Sequence, residues 1–204
     1  MKHIFHKGTN GKTLFLLHGT GGNEEDLIPI GKHLDPNANI LSVRGNVLEY
    51  GMPRFFKRLA MGVFDIESLK EETENLYQYL QEASNDYQFD SKNVTVIGYS
   101  NGANIALSVI FHYENAFNQA ILFHPMIPIR DLELPSLKEM KIFIGSGTND
   151  QMVSQNETYE LLRLLENQNA HVKVCWTNQG HQLNKDEILE AKIWYDLNEK
   201  ETSR

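Results

Sequence analysis

The segment Val94-Thr95-Val96-Ile97-Gly98-Tyr99-Ser100-Asn101-Gly102-Ala103 constrains the fold more than any other stretch of the chain. Four β-branched residues in a row read as a strand, and the largely apolar run Ala103–Phe111 reads as a buried helix. Only Gly98 to Gly102 remain for the turn between them. A side chain held on so tight a strand-to-helix turn takes up a strained backbone, and its neighbours two before and two after must be small. The turn lifts the Ser100 hydroxyl above the sheet edge, at a helix N-terminus. There, free backbone N–H groups and the helix dipole favour developing negative charge. A glycine-rich turn with an ordinary surface serine is the bland alternative; the strand before it and the helix after it argue against that.

The rest of the chain alternates in the same way. Short apolar, branched runs at Thr13–Leu17, Asn39–Val43, Ala120–Phe123, Lys141–Ile144 and His171–Trp176 join Val94–Ile97 as expected strands, each ending in turn-forming residues. Being apolar nearly throughout, several suit a sheet covered on both faces. Between them, Leu69, Thr73, Leu76, Tyr77 and Leu80 make one face of a helix over 66–84. Ser154 with Glu157, and Asn184 with Glu187, have the spacing of capping boxes. The first opens a helix carrying Leu161, Leu162, Leu164 and Leu165; the second leads into Ile188, Leu189, Ile193, Trp194 and Leu197. Asn23 could cap a helix over 23–33, with Pro29 awkwardly inside it. Arg44–Asp65 reads as one long irregular loop whose aromatics mark it for binding. The expected architecture is a single α/β domain over 1–204, a mostly parallel central sheet with helices on both faces.

Composition narrows the partners. The 19 basic and 27 acidic residues give a net charge of −8 with no basic run, so nucleic acid is not an expected partner. The N-terminal residues lack the apolar run of a signal peptide, no stretch is long enough to span a membrane, and Cys175 has no second cysteine to pair with. A cytoplasmic protein without membrane insertion is expected. Nothing in the sequence requires or forbids a homodimer.

A serine nucleophile needs a base, and the base needs an orienting carboxylate, in the chain order Ser, acid, His on this kind of turn. His181 follows the last strand, at the carboxyl edge where Ser100 emerges, and is the expected base. His112 lies within the helix after Ser100, and His171 begins a strand. His124, at the same edge after Ala120–Phe123, is the runner-up and reads as lining the pocket. Asp150 follows Lys141–Ile144 at that edge and is preferred as the carboxylate over Asp131 and Glu133. The glycine-dense turn His18-Gly19-Thr20-Gly21-Gly22 lets backbone N–H groups face inward, so an oxyanion would be bound by the N–H groups of Thr20 and Asn101. The turn fails both phosphate-loop patterns: Glu24 stands where a third glycine belongs, and no Gly-Lys-Ser/Thr follows. No cluster has metal-ligand spacing, so neither metal nor cofactor is expected.

Together, His18-Gly19-Thr20-Gly21-Gly22, the Gly98–Ala103 elbow, Gly147-Thr148-Asn149-Asp150 and Gly180-His181 resemble the carboxylesterase/phospholipase family of α/β-hydrolases, which includes acyl-protein thioesterases and lysophospholipases. Met52–Leu59 and Gly62–Asp65 are similar to a subgroup of small bacterial cytoplasmic esterases, some linked to hydroquinone resistance. The resemblance spans about residues 12–200 and implies an α/β-hydrolase fold with Ser100, Asp150 and His181 as the triad. It departs from acyl-protein thioesterases at Asn101, where they commonly carry Gln. Pro125, Pro128 and Pro135 break the segment that could otherwise form a helix, and no insertion is long enough to fold as a lid.

The function expected is hydrolysis of small to medium carboxylic esters through an acyl-enzyme. Met52, Phe55, Phe56, His124, Met126 and Ile127 are candidates for the pocket that receives the small-molecule ester. The alternatives are a thioesterase or lysophospholipase acting on long acyl chains, and a ligand receptor of the same fold without turnover.

Overall fold

The computed structural model describes residues 1–202. In chain order the elements are β1 (His3–His6), β2 (Thr13–Leu17), α1 (Ile28–Leu34), β3 (Asn39–Val43), β4 (Val47–Glu49), β5 (Met52–Arg54), β6 (Arg58–Ala60) and β7 (Val63–Phe64). They continue as α2 (Ile66–Tyr87), β8 (Val94–Tyr99), α3 (Asn101–His112), β9 (Gln119–Phe123), β10 (Lys141–Gly147), α4 (Gln155–Asn167), β11 (His171–Thr177) and α5 (Lys185–Thr202). Seven strands form one sheet in the order β1-β3-β2-β8-β9-β10-β11, parallel except for β1 at the edge.

Side-chain alternation along the inner strands builds two cores. Phe15 and Leu17, Val94 and Val96, Ala120 and Leu122, and Ile142 and Ile144 face the helices α2, α3 and α4. Leu14 and Leu16, Ile97, Ile121 and Phe123, and Phe143 face α1 and α5. Both faces are therefore covered, as the near-continuous apolar runs require. This is the α/β-hydrolase architecture expected, and among the described residues no lid stands over the sheet edge.

Several elements differ from the sequence expectation for identifiable reasons. His3–His6 pairs antiparallel with β3, an edge strand too short and polar to stand out. Asn23 does not cap a helix. Its side chain accepts the N–H of Glu25 in a local turn, and α1 begins only at Ile28, which leaves Pro29 in the first turn where its missing N–H costs nothing. Residues 44–65 are not irregular throughout but form two small hairpins, β4–β5 and β6–β7. The Asn184/Glu187 box closes reciprocally, with N–H to side-chain distances of 2.8 and 3.0 Å. The face of α5 that turns inward carries Glu187, Ala191 and Tyr195, whereas Leu189, Ile193 and Leu197 are exposed. The helix lies over the sheet beside α1 and has no element on its other side to bury them.

The turn at Ser100 depends on absent side chains. A Cβ at Gly98 would lie 2.6 Å from the Gly102 carbonyl oxygen, and one at Gly102 would lie 2.0 Å from the carbonyl oxygen of Leu17 in β2. Backbone atoms cannot withdraw as a flexible side chain could. Gly102→Ala should therefore cost about 1–3 kcal/mol through overpacking, seen as a fall in Tm of roughly 2–12 °C. An unchanged melting curve would show that α3 can move away from β2.

Candidate active site

Because β2, β8, β9, β10 and β11 run parallel, their carboxyl ends open on one edge of the sheet, where ligands of such folds bind. Ser100 follows β8 with φ 51° and ψ −111°, at the N-cap of α3. Its N–H donates to the carbonyl of Phe123 at 2.9 Å, and its own carbonyl accepts the N–H of Asn104 at 2.9 Å. The left-handed backbone is thus held from both sides. Asp150 lies in the loop after β10, and His181 in the loop after β11.

These side chains meet. The Ser100 Oγ is 2.8 Å from His181 Nε2, and His181 Nδ1 is 2.7 Å from Asp150 Oδ2. Asp150 is buried, and its Oδ1 accepts the N–H groups of Met152 and Val153 at 2.8 and 3.0 Å. Burial alone pushes its carboxyl pKa up; the Val153 N–H, the His181 ring and the Met152 N–H outweigh it and hold the pKa below the ordinary value. The carboxylate therefore stays charged beside the imidazole. The loops carrying Asp150 and His181 interlock. Thr148 N–H donates to the Thr177 carbonyl at 2.7 Å, Gly180 N–H donates to Asn149 Oδ1 at 2.8 Å, and a Cβ at Gly147 would meet the Gly180 carbonyl oxygen at 2.2 Å. Tyr99, at the end of β8, donates its hydroxyl to the His181 carbonyl at 2.7 Å. Burial, followed by the charges of Glu187 and Asp150, raises its phenol pKa, so it remains a donor.

The turn after β2 runs beside Ser100 because β2 pairs with β8. Neither the Thr20 nor the Asn101 backbone N–H has an acceptor among the described residues. The turn is anchored from below. His18 donates Nδ1–H to the Gly19 carbonyl at 2.6 Å and accepts the Gly45 N–H on Nε2 at 3.1 Å; burial lowers its pKa, in keeping with this neutral form. The buried Glu24 pairs with Lys2 at 2.9 Å and Arg44 at 2.5 Å.

A cavity of about 40 Å³ opens at Ser100, lined among others by Thr20, Arg58, Phe64, Met126 and Met152. Gly62, Phe64 and Met126 also border a larger groove of about 580 Å³ that runs between residues 62–66 and 126–132. Of the expected pocket residues, His124 and Met126 line the cavity. Phe55 and Phe56 do not: both are wholly buried, Phe55 against His18 at 4.8 Å between ring centres and Phe56 against Phe64 at 5.1 Å. Their alternation within a short segment between two hairpins sends both into the core. Ile127 is also buried and borders only the groove, with its N–H on Glu157. Met52 is half-exposed on β5, beside Gly21 and outside the cavity lining.

Several functional neighbours escaped sequence reasoning. Glu49 joins Arg54 at 3.2 Å and Arg58 at 2.9 Å, tying the two hairpins together beside the cavity. Asn101 accepts the Phe55 N–H at 2.7 Å on its side-chain oxygen, which fixes the same segment to α3. Glu187 lies behind His124 in the core. Only the polar residues of the 44–65 segment hinted at the first of these. His124 and His181 each meet the same oxygen of Asp150, so the polar atoms of the three lie within 4.8 Å of one another.

The Glu24 anchor makes a pH prediction. Its pKa is lowered to about 2: burial raises it, and the ion pair with Lys2, its backbone bond and Arg44 outweigh burial. Stability from this group is fully present above the unfolded carboxylate value, about 4.5, and is lost as pH falls toward 2. Glu24→Gln should therefore flatten the loss of stability between pH 4.5 and 2 in denaturant titrations. An equally steep loss in the variant would contradict the anchor.

Comparison with known proteins places the chain. Residues 58–202 match the model of the Dienelactone hydrolase family. "Putative hydrolase MhqD" of Bacillus subtilis (strain 168) is 50% identical over 195 residues, 96% of this chain and 98% of that protein. The crystal structure of the Bacillus cereus carboxylesterase is 55% identical and superimposes with a TM-score of 0.95, covering 96% of this chain and 93% of that one. YahD, solved with malic acid, is 34% identical with a TM-score of 0.91, covering 95% and 97%. None of the described helices is long and apolar enough to cross a membrane. The chain belongs to the Dienelactone hydrolase family, and it is a hydrolase of carboxylesterase type built on the α/β-hydrolase fold.

Proposed function

We propose that the protein is a serine esterase that cleaves carboxylic esters by two-step acyl transfer. The observation that carries this reading is the unbroken chain Ser100 Oγ, His181 Nε2, His181 Nδ1, Asp150 Oδ2, at 2.8 and 2.7 Å. His181 takes the hydroxyl proton as Ser100 attacks the carbonyl carbon. Asp150 holds the ring and stabilises the imidazolium that results. The oxyanion is received by the N–H groups of Thr20 and Asn101, which have no other acceptor among the described residues. His181 then protonates the leaving alcohol, and a water molecule deprotonated by the same ring releases the acid and restores Ser100.

Size bears on the substrate. The cavity at Ser100, about 40 Å³, takes only a few heavy atoms, whereas the adjoining groove of about 580 Å³ falls in the range of small-molecule sites. Met126 stands where the two meet. Val63, Phe64, Ile127, Pro128 and Leu132 give the groove an apolar wall, which favours esters with a medium-length acyl or aryl group over the shortest ones.

Ser100→Ala should abolish fluorophosphonate labelling and lower ester turnover at least 10³-fold; retained turnover would remove Ser100 from the mechanism. A p-nitrophenyl ester series from acetate to palmitate, with one palmitoyl thioester, reads the substrate. Turnover should peak at intermediate chain length, and Met126→Trp should depress the longer esters while sparing acetate. A profile dominated by the palmitoyl thioester would favour the thioesterase reading, and no turnover with any ester would favour a receptor.

A further inference from the structure

Behind Asp150 lies a second histidine between two carboxylates. His124 follows β9 with a φ of 53°, a left-handed backbone in a non-glycine residue, and its N–H is fixed to the Gly145 carbonyl at 2.8 Å. Its Nδ1 is 3.2 Å from Asp150 Oδ2, the same oxygen that faces His181. Its Nε2 is 3.3 Å from each oxygen of Glu187. The side chains of His124, Asp150 and Glu187 have no exposed surface. Glu187 Oε1 also accepts the N–H and side-chain amide of Asn184, at 2.8 and 3.1 Å, while Oε2 has no other donor near it. The sheet makes room for this carboxylate: a Cβ at Gly145 would lie 2.6 Å from Glu187 Oε2.

Proton counting narrows this arrangement to two states, with the extra proton on the ring or on Glu187. A neutral imidazole has one N–H and one lone pair. With carboxyl oxygens at both nitrogens of a buried ring, a neutral imidazole would press a lone pair against a buried anion unless Glu187 held the proton instead. A ring with two protons donates to both. We propose that His124 is held as an imidazolium between Asp150 and Glu187, and that it is a positioning residue for the Asp150–His181 pair. This rests on the reading of Ser100, His181 and Asp150 as catalytic.

Two consequences follow from the geometry. Asp150 receives four donors: two backbone N–H groups on Oδ1, and the His181 and His124 rings on Oδ2. Its carboxylate can no longer rotate, so its oxygen stays aimed at His181. The His124 ring centre is also 5.1 Å from that of His181, and a cation there opposes protonation of the base. Glu187 from α5 holds the cation in place. The other titratable group facing the ring is Tyr99 of β8, edge-on at 6.1 Å between ring centres.

The test has two arms. In ¹⁵N NMR of the wild-type protein, both His124 ring nitrogens should carry protons at about pH 8, above the ordinary imidazole value of about 6.5. In Glu187→Gln, His124 should lose its second proton under the same conditions. A His124 ring that is singly protonated there overturns the proposal. In kinetics on a short ester, His124→Gln removes the cation and leaves Glu187 alone, so the acid limb of kcat/KM should move up by about one pH unit. KM should change less than kcat. Adding Glu187→Gln should bring the limb at least halfway back. A limb that stays put in His124→Gln, with activity lost only in step with Tm, would reduce the residue to a structural role. The NMR arm needs no turnover, so it reads the proposal even if Ser100 proves not to be the nucleophile.

Discussion

Everything at the sheet edge depends on the backbone of Ser100. A φ of 51° with a ψ of −111° is a conformation that a non-glycine residue avoids, at a typical cost of order 1–3 kcal/mol. Three contacts impose it. The Ser100 N–H is fixed on Phe123, the Gly98 backbone lies against Gly102 and Ala103, and the Gly102 backbone lies against Leu17 and His18. Strand β8 and helix α3 are packed so closely that the residue between them has no other path. Its side chain is thereby put at the open edge and at the start of α3. The strain is maintained by two almost wholly buried elements, not by the loop itself.

Sheet order does the remaining assembly. β2 on one side of β8 brings the Thr20 turn; β9, β10 and β11 on the other bring His124, Asp150 and His181 in sequence. Each loop is then immobilised by polar contacts with its neighbour: Asn149 with Gly180, Tyr99 with His181, His18 with Gly45, Glu24 with Arg44. These bonds hold groups from different strands within a few tenths of an ångström of bonding distance, which the proposed acyl transfer requires. One acceptor among them, Glu24, is a buried carboxylate, so charge as well as hydrogen bonding holds this edge.

What could be read from the chain, and what could not, divides along range. The strands of the parallel sheet were legible because residues buried on both faces leave long apolar runs. The N-caps Ser154 and Asn184 were legible because their partners are three residues apart; only Asn184 closes a full box, since Glu157 turns its carboxylate to Ile127 and Arg130. Ser100, Asp150 and His181 could be singled out because each follows a strand, and parallel strands end on one edge. The pocket was not legible in this way. Phe55 and Phe56 carry the same apolar signal whether they line a cavity or fill a core, and only the hairpins around them decide. Leu189, Ile193 and Leu197 look like a core stripe, yet α5 packs on the sheet and α1 through Ala191 and Tyr195 and leaves them exposed. Glu187 gives no local sign beyond its capping role, because its second partner, His124, is 63 residues away. Contacts set by one strand's neighbours can be inferred from pattern; contacts between loops cannot.

The central claim is that this elbow makes Ser100, and no other group, the atom that takes the acyl chain. Rapid quenching of the protein during turnover of a p-nitrophenyl ester, followed by peptide mapping by mass spectrometry, reads that atom directly. The account predicts an acyl mass increment on Ser100, within the peptide spanning β8 and α3. An increment on another residue, or none during steady turnover, would contradict it.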